Sequence, residues 1–127
     1  MKLLFIVDPL ASLKAYKDSS VAMMRAASAR GHAVFATEGC RLQVKDGIAR
    51  AACDALDIRT GDDWFLITAT DMHALSDFNA VVMRTDPPVD TDYLLATQLL
   101  GIAEQNGARV LNRPAALRDF NEKLAIL

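Results

Sequence analysis

The order of elements in the first third of the chain restricts its fold more than any other feature. A continuous apolar run, Leu3 to Val7, is closed by Asp8-Pro9. After a loop, a helical pattern runs from Val21 to Arg30, with Val21, Met24 and Ala27 on one side and Gly31 as a terminating glycine. Ala33 to Thr37 is then a second apolar run. Runs apolar throughout, rather than alternating, belong to strands buried on both faces. Two of them flanking a helix make a βαβ unit, and hence a parallel sheet with a right-handed crossover. The expected fold class is α/β: a Rossmann-like, open, mainly parallel sheet flanked by helices.

Further along, Asp46-Gly47 between Val44-Lys45 and Ile48-Ala49 is a two-residue hairpin signal. It predicts a β-hairpin excursion from the main sheet, Arg41 to Lys45 with Ile48 to Ile58. Trp64 to Thr70 and Phe78 to Met83 read as strands, and Arg109 to Leu111 as a short one. Thr91 or Asp92 caps a helix that ends at Asn106-Gly107, and Pro114 suits the first turn of a short helix through Phe120. The last residues, Asn121 to Leu127, look like the start of another element, so the expectation is of a continuation beyond them.

The composition excludes several classes. With 127 residues, about one domain is expected. A net charge of −2 and no run of Lys or Arg argue against nucleic acid as a partner. No segment approaches the ~20 apolar residues of a membrane span, and the apolar N-terminal run is too short for a signal core, so the expected location is cytoplasmic. Counting outward from Lys45 opposite Ile48 sets Cys40 opposite Cys53, which makes a disulfide thinkable; two reduced thiols are the expectation in a cytosolic protein. Neither His32 nor His73 has partners at ligand spacing, so no metal site is expected.

Four loops follow apolar strands and lie along one carboxyl edge of a parallel sheet: Asp8-Pro9-Leu10, Thr37-Glu38, Arg84-Thr85-Asp86-Pro87-Pro88 and Asn112-Arg113-Pro114. In open α/β sheets ligands bind at that edge. Lys17-Asp18-Ser19-Ser20 opens the first helix beside the first loop. Its hydroxyls, free backbone N–H groups and lysine suit an anion; plain helix capping by an Asp or Ser, for which Ser19 or Ser20 can serve, is the simpler account. Arg84 with Asp86 suits a zwitterionic amino-acid end, the guanidinium taking a carboxylate and the aspartate an ammonium. An internal salt bridge that pins the proline-stiffened loop is an equal alternative. No glycine-rich phosphate loop follows Val7, which argues against a dinucleotide-binding Rossmann domain; no serine sits in a nucleophile elbow and no cysteine lies near a histidine in sequence, which argues against a self-contained hydrolase.

Asp8-Pro9, Lys17-Asp18-Ser19-Ser20, the string Met83-Arg84-Thr85-Asp86-Pro87-Pro88-Val89-Asp90-Thr91, Asn112-Arg113-Pro114 and Leu117-Arg118-Asp119-Phe120-Asn121-Glu122-Lys123-Leu124, in that order and spacing, resemble the bacterial glutathione synthetases. The resemblance implies a pre-ATP-grasp domain over residues 1–120, with 121–127 beginning an ATP-grasp portion. It implies an enzyme that uses ATP and Mg2+ to join glycine to γ-glutamylcysteine through an acyl phosphate, and that is a homo-oligomer at full length. By position, Lys17, Asp18, Ser19, Ser20, Arg84 and Asp86 would line the γ-glutamylcysteine side of the cleft, and Lys123 would contact the nucleotide. The main ATP and Mg2+ sites would lie in the later part, so this chain alone is expected to hold no catalytic residue and to be inactive. Another ATP-grasp carboxylate–amine ligase is the nearest alternative. A non-catalytic α/β module for binding or oligomerisation is the alternative from a different class.

Overall fold

The computed structural model describes residues 1–14, 18–61, 63–84 and 100–112. Its centre is a mixed seven-stranded sheet. The parallel part comprises β1 (Lys2–Ile6), β2 (Ala33–Thr37), β6 (Ala80–Met83) and β7 (Val110–Asn112), in the order β2-β1-β6-β7. The expected βαβ unit is present: α1 (Ser19–Ala29) links β1 to β2. The chain then crosses to the far side of β1 to place β6. The strand order therefore reverses at β1, and the crevice between the carboxyl ends of β1 and β6 is the topological switch point.

The continuous apolar pattern of β1 has a direct cause. Leu3 and Phe5 enter one core with Val21, Met24 and Ala27 of α1. Leu4 and Ile6 enter a second core with Leu100 and Ala103, from the helical residues 100–105. Alternate side chains point to opposite faces, and both faces are covered. Helix α1 buries Val21, Met24 and Ala27 as one stripe, so Met24→Ala would cost about 2–5 kcal/mol. It ends as predicted at Gly31, whose φ of +84° suits glycine. There Gly31 donates to the Ser28 carbonyl and His32 to the Ala27 carbonyl, closing the helix. Its start differs from expectation. The helix begins at Ser19, and the cap is Asp18, not Ser19 or Ser20: the Asp18 carboxylate accepts from the Ser20 backbone N–H at 2.8 Å.

The hairpin forms about the predicted turn, with Asp46 at φ +55° and Gly47 at φ +77°, the left-handed pair that a type I′ turn requires. Lys45 pairs with Ile48, and the ladder of β3 (Leu42–Lys45) with β4 (Ile48–Ile58) runs only to Leu42 opposite Ala51. Beyond that point β4 pairs with β2, Ala36 opposite Asp54. The hairpin is thus also joined to the main sheet. β5 (Phe65–Ala74), longer than the predicted strand, pairs along the other side of β4. β2 and β3 share the remaining edge of β4, separated by a three-residue 3-10 turn, Gly39–Arg41. That turn ends the Cys40–Cys53 register: Cys40 sits exposed in the turn, Cys53 is buried in β4, and both are free thiols. His73 serves the core, packed edge-on against Phe35 and Phe78 at ring distances of 5.5 and 5.4 Å. His32 accepts from the N-terminal ammonium at 3.2 Å.

Candidate functional site

The carboxyl edge carries the groups that the sequence singles out. Arg84 directly follows β6, and its backbone N–H donates to the Ile6 carbonyl at 2.7 Å. This continues the β1–β6 ladder by one residue and holds Arg84 at the switch-point crevice. The guanidinium turns toward the first residues of α1. Its Nε donates to Ser20 Oγ at 3.3 Å, and Nη2 donates to Ser19 Oγ. Groups 64 and 65 residues apart in sequence meet here. Ser20 is buried, with 4% of its surface exposed, whereas Ser19 is exposed.

The fold makes this meeting possible in a definite way. Asp18 caps α1 through its side chain, which leaves both serine hydroxyls available as acceptors. Nε and Nη2 form one edge of a guanidinium; Nη1 and Nη2 form the other. The serines engage the first edge, and the second is suited to a carboxylate, two N–H groups meeting two oxygens. Asp18, Ser19, Ser20 and Arg84 are therefore gathered in one place. Lys17, Asp86 and Lys123 lie outside the described residues.

A cleft of about 250 Å³ lies on the other side of β1, between its following loop and the end of β2. Pro9, Leu10 and Phe65 give it apolar walls, and Glu38, Arg41 and Asp54 give it polar ones. Arg41 holds Asp54 bidentately, Nη1 to Oδ2 at 2.9 Å and Nη2 to Oδ1 at 3.0 Å. Thr70 Oγ1 also donates to Asp54 Oδ1, at 2.8 Å. The Arg41 hydrogen bonds hold the Asp54 carboxyl below the usual carboxylate range, and the Thr70 bond adds to this against the opposing effect of burial. Arg41 is raised in turn, chiefly by its bond to Asp54. Sequence inspection did not single out this pair. A signal was present: Asp54 interrupts the run Ala51-Ala52-Cys53-Asp54-Ala55-Leu56, and a buried carboxylate requires a partner.

Among the described residues, no three of His, Cys, Asp and Glu gather to hold a metal ion. No described helix is long and apolar enough to cross a membrane.

A family model described as "Prokaryotic glutathione synthetase, N-terminal domain" matches residues 1–118. Among curated proteins, the glutathione synthetase of Neisseria meningitidis serogroup A is 51% identical over 132 residues, covering 100% of this chain and 42% of the relative. That of Ralstonia nicotianae is 47% identical over 128 residues, covering 99% of this chain and 39% of the relative. That of Parasynechococcus marenigrum is 42% identical over 127 residues, covering 100% and 40%. The chain thus spans about two fifths of the length of the curated relatives it matches.

Proposed function

The chain belongs to the prokaryotic glutathione synthetase family, matching its N-terminal domain, and from that premise we propose that it is the substrate-side part of an ATP-dependent ligase joining glycine to γ-glutamylcysteine. One observation carries this assignment: a guanidinium fixed at the switch point of the sheet, with an edge suited to a carboxylate. In this reading Arg84 grips a carboxylate of γ-glutamylcysteine. Asp86 takes the ammonium beside it, and Lys17 and Asp18 serve as further substrate-binding residues. The work of these residues is binding and orientation. Held by its ammonium–carboxylate end, γ-glutamylcysteine would present its other carboxylate, that of the cysteine residue, for ligation to the glycine amine.

ATP and Mg2+ are assigned to the part of the protein beyond this chain, with Lys123 as a nucleotide contact at the junction. The described residues do not fit either group: no carboxylate cluster suits Mg2+, and Asp8-Pro9-Leu10 stands where a glycine-rich phosphate loop would follow β1. The chain alone is proposed to be inactive. The whole protein is proposed to be cytoplasmic and a homo-oligomer, the latter supported by β5, which exposes Leu66, Ile67 and Met72.

The test is Arg84→Ala in the full-length protein. Losing a charge-assisted bidentate contact of about 1.5–3 kcal/mol should raise the KM for γ-glutamylcysteine roughly 10–100-fold, with the KM for ATP little changed. Unchanged kinetics would remove Arg84 from the site. A second measurement uses this chain alone: γ-glutamylcysteine-dependent ATP turnover by it would refute the proposed inactivity.

A further inference from the structure

Ser19 and Ser20 stand beside Arg84 in sequence expectation as substrate contacts, but the geometry points to a different role: they are positioning residues that hold Arg84, which alone meets the substrate carboxylate. This inference rests on the proposed role of Arg84 and goes beyond it.

Three observations support it. Both hydroxyls already accept from the guanidinium, Ser20 from Nε and Ser19 from Nη2. Ser20 is buried, so its hydroxyl, already bonded to Arg84, offers little surface to a ligand. Arg84 is also tied at its backbone to Ile6. The side chain is therefore held at both ends, by the main chain at its base and by the serines along one edge of its head.

The physical benefit is preorganisation. An arginine side chain has many rotamers, and ordering it when a ligand binds opposes affinity. Hydroxyl acceptors that order the guanidinium beforehand remove that penalty and set the direction of its other edge. The capping bond from Asp18 leaves the serine hydroxyls available for this task. The specificity of the site is then one of angle: a carboxylate must approach in the plane of the guanidinium to make two hydrogen bonds.

A double-mutant cycle on the full-length protein separates positioning from direct contact. Ser20→Ala, Arg84→Ala and the double variant are compared by kcat/KM for γ-glutamylcysteine, by the KM for ATP, and by calorimetric binding of γ-glutamylcysteine alone. Ser20→Ala is expected to weaken γ-glutamylcysteine binding about 3–10-fold, the effect of one hydrogen bond, and to leave the KM for ATP unchanged. In the Arg84→Ala background, the same serine change should have an effect of less than about 2-fold, because its only route to the substrate is gone. Effects that multiply would show direct serine contact and overturn the inference. A loss from Arg84→Ala with none from Ser20→Ala would also overturn it, while leaving the role of Arg84 standing. No loss from Arg84→Ala would overturn the role of Arg84 itself. Ser19→Ala, at an exposed position, gives the same cycle if Ser20→Ala fails to fold.

Discussion

Arg41 and Asp54 join across the point where two strands share one edge of β4. Their hydrogen bonds of 2.9 and 3.0 Å span from the 3-10 turn to the strand. Between β2 and β3 the register against β4 steps by the length of that turn, and the ladder breaks opposite Ala52 and Cys53. Side chains satisfy what the ladder leaves: Thr37 Oγ1 donates to the Ala52 carbonyl at 2.8 Å. Asp54→Ala should therefore destabilise the chain by about 1–3 kcal/mol, since it leaves the partly buried Arg41 without its acceptor. Denaturant unfolding measures this. Arg41→Met with Asp54→Ala should recover part of the loss, and no recovery would show that the pair is not coupled.

The same pair gives a pH dependence whose sign is fixed. Asp54 is held below its ordinary value in the folded chain, chiefly by Arg41. The unfolded chain then binds more protons than the folded one as pH falls below the usual aspartate value of about 3.9. The contribution is fully present above that value and is lost as pH falls through the folded one. The melting-temperature gap between the natural chain and Asp54→Asn should be constant near neutrality and shrink below about pH 4. A gap that stays constant to pH 3 would count against Asp54 as the titrating group.

The fold was legible because its signals are local. Leu3 to Val7, Gly31 and Asp46-Gly47 each declare a strand, a helix end or a turn within a few residues, and the parallel sheet follows from their order. The meeting of Arg84 with Ser19 and Ser20 was legible only as a shared edge, because side-chain direction depends on packing that no short window contains. The register step at Gly39–Arg41 was not legible at all. Counting pairs outward from Asp46-Gly47 assumes an unbroken ladder, and β2 competes with β3 for the same edge of β4. The expected Cys40–Cys53 register failed for that reason, and the Arg41–Asp54 pair escaped notice with it.

The two thiols should differ sharply in reactivity. Cys53 is buried, which pushes its pKa up to about 12 despite the opposing influence of Arg41. At neutral pH it is a thiol, and thiols are poor nucleophiles. Cys40 is exposed. An aromatic disulfide reagent at pH 8 should titrate one thiol in the folded chain and two after unfolding without reductant. A count of none after such unfolding would indicate a bridge that this structure does not contain.

Asn106 ties the end of the helical residues 100–105 to the hairpin turn. Its Nδ2 donates to the Gly47 carbonyl at 3.2 Å, and its Oδ1 accepts from the Ala49 backbone N–H at 3.0 Å. The two bonds hold the helix against the start of β4, where Ala49 and Ala103 share a core. Asn106→Ala should cost about 1–3 kcal/mol, because the Ala49 N–H loses its acceptor where water has limited access. Asn106→Asp keeps an acceptor for Ala49 but meets the Gly47 carbonyl oxygen with a second oxygen in place of a donor. It should therefore fall between the natural chain and the alanine variant. Hydrogen exchange at Ala49 is the direct readout: protection should drop strongly in the alanine variant and weakly in the aspartate variant. Equal protection in all three would mean that the turn holds its place through Asp46-Gly47 alone, with no help from the helix end.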